Sequence, residues 1–307
     1  MIPEFLPRKT AKPVVPPIKC QGIKTRLVSF ILENIQWDGR GRWVEPFMGS
    51  GVVLFSVQPQ RAIINDINPH IINFYRRLAD GSLTSAMVRE HLTAEGNELV
   101  KQGEDHYYEV RNRFNQAADP LDFLFLNRAC FNGVMRFNRK GGFNVPFCRK
   151  PDRFRSAYIT KIVNQVTAVC KVMKGKEWEF RNEDWKDYLR NLNQEDFVYL
   201  DPPYIGRHTD YFNQWTEEDA TALATVAENL PCGFALSMWK QNEYRANHHL
   251  QNWRDTEERT VRHFYHVGST ESLRHEMEEA LLIRRGYAAP LQITPPSTSA
   301  EQLGMFI

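Results

Sequence analysis

Apolar positions along this chain switch repeatedly between helical and strand spacing. Positions 27, 28, 31, 32 and 35 are apolar at helical intervals and predict a helix from Thr25. RWVEPF (42–47) reads as a strand, Gly49-Ser50-Gly51 as a turn, and VVLFSV (52–57) as an apolar helix. RAIIND (61–66) is a second strand, and Pro69 opens another helix, to about residue 80, at the first-turn position that proline favours. Strand, helix, strand, helix is the unit of a parallel sheet. Residues 81–175 interrupt this rhythm with mostly helical patterning and a Gly-rich basic segment at 133–147. The alternation then returns: strands at 178–182, 197–200 and 233–238, helices at 216–229 and 240–251, and strands near 261–267 and 280–284.

The expected fold is therefore α/β: a doubly wound, Rossmann-like sheet split by a mostly helical insert. The expected division is an extended arm over 1–19, which holds five prolines, a catalytic domain from 20–80 and 176–287, the insert over 81–175, and a Pro/Ser/Thr-rich flexible tail over 288–307.

Composition narrows the class. With 307 residues, 42% hydrophobic and 25% charged, the chain reads as an ordinary soluble protein able to bury a core. No apolar run reaches the ~18 residues of a membrane span, and MIPEFLPRKT lacks the apolar centre of a signal peptide. The five cysteines (20, 130, 148, 170 and 232) show no CxxC spacing, and no histidine pair shows HExxH, so a zinc site and a disulfide framework are not expected. The expected compartment is a reducing cytoplasm. Net charge is only +2, but residues 136–155 place seven Lys/Arg against one acid, Asp152, among aromatics and glycines. That pattern suits a nucleic-acid surface better than a solvated basic face.

Chemistry collects at the predicted strand ends, where open α/β sheets bind ligands. The first strand runs into Glu45-Pro46-Phe47-Met48-Gly49-Ser50-Gly51, whose glycines allow close backbone approach to a ligand. The dinucleotide fingerprint GxGxxG fails because position 54 is Leu, and no Walker lysine follows. Asp66, after the second strand, suits ribose hydroxyls or a helix cap equally. Asp184-Trp185 can hydrogen-bond and stack on an adenine. The fourth strand ends in Asp201-Pro202-Pro203-Tyr204. Prolines cannot donate to a ladder, so they aim carbonyls outward. Asp201 and the Pro202 carbonyl can accept the two N–H bonds of an exocyclic amine, and Tyr204 can stack on its ring. Together these residues frame a nucleoside pocket without a phosphate loop, which S-adenosylmethionine fits. A nuclease metal pattern from Pro151-Asp152 and Asp184-Trp185-Lys186 fits poorly, since Asp184 has the better role above.

These motifs, with CQGIK (20–24), NDIN (65–68), YYEVRNRFN (107–115), FLFLNRACFNGVMRFNRKGGFNVPF (123–147) and LDPPY (200–204), make the chain resemble the Dam-type DNA adenine-N6 methyltransferases over roughly residues 18–215. The resemblance implies an enzyme of a restriction-modification system that flips an adenine out of duplex DNA and methylates it with S-adenosylmethionine, with no metal. It places Gly22, Lys24, Glu45, Phe47, Gly49, Gly51, Asp66, Asp184, Trp185 and Asp201 at the cofactor. Asp201, Pro202, Pro203 and Tyr204 fall at the target base. Phe131 and Asn132 match residues that wedge the opened duplex, and Arg136 matches one that reads guanine. Lys19, Val134, Asn138, Arg139, Lys140 and Pro146 complete the expected DNA surface. Core packing for Phe131 and a phosphate contact for Arg136 are the plain alternatives.

Cys20 stands where the family usually has an aromatic residue. SMWKQNEY (237–244) departs from the family's turn, and residues 261–283 look like other restriction-modification adenine methyltransferases. The target sequence is accordingly open: GATC leads, with CATG or another G-containing palindrome behind it. A cytosine-N4 enzyme, an RNA adenine methyltransferase and an inactive DNA-binding module are the alternatives. The last six residues, QLGMFI (302–307), are similar to peptides that bind the bacterial sliding clamp, with Leu303, Met305 and Phe306 as contacts. A monomer is expected.

Overall fold

The computed structural model describes residues 5–10, 12–22, 24–204, 215–242, 246–264 and 276–291. Its elements run α1 (Val28–Asn34), β1 (Trp43–Glu45), α2 (Val52–Val57), β2 (Arg61–Asn65) and α3 (Pro69–Ala79). Next come α4 (Ser85–Gln102), α5 (Glu104–Ala117), α6 (Pro120–Ala129) and α7 (Ser156–Met173). The chain finishes with β3 (Glu177–Arg181), α8 (Trp185–Tyr188), β4 (Phe197–Leu200), α9 (Glu217–Glu228), β5 (Gly233–Asn242), β6 (Thr256–Phe264) and β7 (Glu276–Arg284).

The strands form one seven-stranded sheet in the order β3-β2-β1-β4-β5-β7-β6. The first five are parallel, and β7 runs antiparallel to both β5 and β6. The central strands β1 and β4 are buried throughout, as expected of strands covered on both faces. Their side chains alternate between two apolar layers. Trp43, Phe197, Tyr199 and Leu281 join the layer under α1–α3, whereas Val44, Val198, Leu200 and Leu282 join the layer that includes Tyr188 of α8 and Leu223 of α9. A sheet wound on both sides is the consequence.

The insert continues the first layer. Tyr107, Phe114, Phe123 and Ile162 belong to the same apolar cluster as Ile64 and Tyr75. Its helices begin at side-chain caps: Thr84 accepts the amide of Met87, and Asp119 accepts those of Leu121 and Asp122.

Two expectations are corrected. The N-terminal segment does not stand apart as an arm. Leu6 and Ile18 are fully buried, Leu6 bridges Trp37, and Arg8 donates to the carbonyl of Val57 at 2.5 Å. Secondly, residues 240–251 form no α-helix among the described residues. β5 continues to Asn242 through a bulge at Trp239/Gln241, held by β7, and a 3₁₀ turn at His248–Asn252 follows. Pairing with β7 overrides the helical preference of that polar run. No helix among the described residues is long and apolar enough to cross a membrane. Residues 292–307, with the expected clamp peptide, lie outside the described residues.

Candidate active site

The loops after β1, β2, β3 and β4 open onto one cleft at the carboxyl edge of the sheet. Asn65 ties three of them together. Its Nδ2 donates to the carbonyls of Pro46 (3.1 Å) and Glu183 (3.0 Å), and its Oδ1 accepts the Glu183 amide at 2.8 Å. Nothing in the linear run NDIN (65–68) marks Asn65 for this tie.

In the first loop Gly49 and Gly51 have φ of +52° and +78°, backbone that favours glycine. The Gly49 amide donates to Asp66 Oδ2 at 2.8 Å, and the Asn68 amide donates to Asp66 Oδ1 at 2.9 Å. The cap of α3 is Asn68, whose Oδ1 accepts from His70. Asp66 is thereby left facing the cleft, and burial raises its pKa to about 6 against those two bonds. Asp184 caps α8 by accepting the Lys186 amide, so it serves that cap as well as the cleft. Trp185 packs with Phe47 and Trp215, at ring-centre distances of 6.3 and 5.9 Å, and makes an aromatic wall. Trp215 and Met135 line the cleft without having been expected there. Gly51, in the same turn as Gly49, leaves no room for a side chain beside Met48 and Phe55.

The fourth loop holds the charged centre. Lys24 is buried, and its Nζ lies 2.8 Å from Asp201 Oδ1, 3.3 Å from the Gly22 carbonyl and 4.8 Å from the centre of the Tyr204 ring. Burial pushes the Asp201 carboxyl up, and the Lys24 ammonium opposes that push. Lys24 itself is held well above its ordinary pKa: burial works against its charge, and Asp201 beside it prevails. The Tyr204 hydroxyl donates to Glu279 Oε2 at 3.0 Å. Glu45, buried at the end of β1, accepts from Trp43 Nε1 at 2.7 Å, and burial raises its pKa to about 8. Burial thus favours its neutral, protonated form. Pro202 and Pro203 line the same cleft.

The basic insert segment is built as a hairpin-like loop. Phe137 bridges Phe143, and the Asn138 amide donates to the Gly142 carbonyl at 2.8 Å. Asn138 Oδ1 accepts the amides of Lys140 and Gly142, which makes Asn138 the residue that shapes the tip. Arg139 and Lys140 are exposed there. Arg136 Nε donates to Asn144 Oδ1 at 2.8 Å, which fixes the guanidinium beside the loop. Phe131 is 54% exposed, which rules out the core-packing alternative. Asn132 beside it is exposed with φ +53°, and Pro146, also exposed, accepts the Phe131 amide at its carbonyl. Lys19 is half-buried next to Gly133. Val134, by contrast, is 9% exposed and packs with the apolar cluster.

Elsewhere among the described residues, His91, Glu95 and Asp122 lie close enough to suggest a cation site. Arg113 already occupies it, donating to both Asp122 oxygens and to Glu95 at 2.9 Å. The cluster is an ion-pair network that joins α4, α5 and α6.

Sheet order, strand-end cleft and glycine turn define a Rossmann-like, doubly wound α/β protein. The model of the D12 class N6 adenine-specific DNA methyltransferases matches residues 21–272, and the chain belongs to that family. A DNA adenine methylase of Vibrio cholerae is 31% identical over 199 residues, 60% of this chain and 66% of its own. The type II methyltransferase M.MjaIII of Methanocaldococcus jannaschii is 31% identical over 227 residues, 67% of this chain and 75% of its own. The retron Ec67 DNA adenine methylase of Escherichia coli is 30% identical over 218 residues, 69% and 71% of the two chains. The match thus spans about two thirds of the Vibrio enzyme's length.

Proposed function

We propose that the protein transfers a methyl group from S-adenosylmethionine to the N6 amine of an adenine flipped out of a short, specific duplex DNA site. The observation that carries this reading is one shared cleft. Asp66, Asp184 and the Phe47–Trp185 wall stand on its nucleoside side, and Asp201-Pro202-Pro203-Tyr204 stand opposite.

The cleft suits that cofactor. A carboxylate is available for ribose hydroxyls and aromatic rings for a purine. When bound, S-adenosylmethionine supplies a methyl group already activated on a positively charged sulfur. The chain's own work is positioning. Asp201 and the Pro202 carbonyl accept the amine's two hydrogens and turn its lone pair toward the methyl carbon. A methyl donor held there would give its methyl to this nitrogen with the C–S pair staying on sulfur, and the amine's surplus proton would pass to water. Tyr204 stacks on the base, and the Lys24 ammonium 2.8 Å from Asp201 favours its ionised form against the push of desolvation.

On the DNA side, Phe131 and Asn132 enter the opened duplex. Arg136 reads a guanine, and Lys19, Arg139, Lys140 and Pro146 contact the surrounding site. The site is a short G-containing palindrome, with GATC leading and CATG next. The protein works as a cytoplasmic monomer, and residues 302–307 add a contact to the sliding clamp. Deleting 302–307 should abolish clamp pull-down yet spare methylation of short duplexes.

Expression in a methylation-free host, followed by single-molecule sequencing of its genome, should show N6-methyladenine at one motif. Asp201→Ala should erase that signal while DNA binding persists. An unmethylated genome with the intact protein, or full activity of Asp201→Ala, refutes the reading.

A further inference from the structure

β7 is apolar through its middle, where Ala280, Leu281, Leu282 and Ile283 are all buried, yet it carries Glu279 at 2% exposure. Because β7 runs antiparallel, its early residues lie beside the carboxyl ends of the parallel strands. Glu279 pairs with Trp239 near the end of β5. Alternation places it on the same face as Leu281 and Ile283, the face that also holds Tyr199. There its Oε2 accepts the Tyr204 hydroxyl at 3.0 Å. The Lys24 ammonium sits over the same ring and against Asp201. Folding alone gives little reason for this carboxylate, since well-packed apolar replacements of buried charge networks are often neutral or stabilising.

Building on the function proposed above, we propose that Glu279 is a positioning residue for methyl transfer, acting through Tyr204. Its hydrogen bond fixes the ring under the target base and leaves the phenol more electron-rich than a free one. As the N6 lone pair attacks, positive charge develops on the purine. An electron-rich stacked ring favours that charge in the manner of a cation–π contact. The gain appears only as the charge develops, so it belongs to kcat and not to binding.

The test uses the full chain on a short duplex containing its methylated site, with Glu279→Gln, Glu279→Leu, Tyr204→Phe and the double Tyr204→Phe/Glu279→Gln. Methylation by the unaltered protein comes first; its failure refutes the proposed function and not this assignment. Glu279→Gln keeps an acceptor and should lower kcat about 3–10-fold, and Glu279→Leu about 30–100-fold, with KM for DNA and cofactor affinity within about twofold. In Tyr204→Phe, adding Glu279→Gln should cost nothing further. An unchanged kcat in Glu279→Leu overturns the proposal. So does a Glu279→Gln loss that persists undiminished in Tyr204→Phe, a comparison that decides the matter even if Glu279→Leu does not fold.

Discussion

The ammonium of Lys24 lies 2.8 Å from the carboxylate of Asp201, with the lysine buried before α1 and the aspartate at the end of β4. The pair joins a residue expected at the cofactor to one expected at the target base. The ammonium opposes the upward push that desolvation exerts on the Asp201 carboxyl.

Lys24→Met should therefore leave Asp201 without its counter-ion, and burial should drive the carboxyl further up. Transfer at pH 7 should fall by about 100-fold or more. Residual activity should climb toward alkaline pH as Asp201 ionises. A pH–rate profile decides; a profile shaped like that of the unaltered protein refutes the role.

Glu45 should hold its proton at neutral pH, since burial raises its pKa from 4.5 to about 8. The unfolded chain loses that proton near 4.5, so this group's contribution to stability declines as pH rises from about 4.5 to about 8. Glu45→Gln mimics the neutral acid and still accepts from Trp43. It should retain activity at pH 7 and flatten the decline in thermal midpoint between pH 5 and pH 8. Melting curves across that window provide the measurement.

A methyl group at position 51 would meet Met48 Cε and Phe55 Cε2 at 2.7 Å, on backbone with φ +78°. Gly51→Ala should destabilise the fold by about 2–4 kcal/mol, adding left-handed strain to overpacking. Denaturant titration should show a lowered midpoint with unchanged slope.

Phe131→Ala and Arg136→Ala should separate flipping from reading. The exposed ring is needed to open the duplex, so Phe131→Ala should weaken the fluorescence rise of 2-aminopurine placed at the target adenine. Arg136→Ala should instead relax discrimination at one base pair by about 10–100-fold, the worth of a bidentate guanine contact. Equal losses on all duplexes would make Arg136 a phosphate contact.

The interrupted α/β order and the chemistry of each strand end were legible in the linear sequence because both are local. Periodicity marks an element, and the residues that follow a strand remain beside its end. The family resemblance came from runs such as FLFLNRACFNGVMRFNRKGGFNVPF and LDPPY in a definite order. Pairings between distant segments were not legible. Lys24 meets Asp201 because folding lays the segment before α1 against the end of β4, and Tyr204 meets Glu279 because the sheet brings β4, β5 and β7 side by side and reverses β7. The same pairing made residues 240–242 a strand where polar helix-forming residues suggested otherwise. Burial likewise separated neighbours of one motif. Val134 turned into the core while Phe131 was left exposed, because three-dimensional packing, and not residue type, decides which side of a loop faces water.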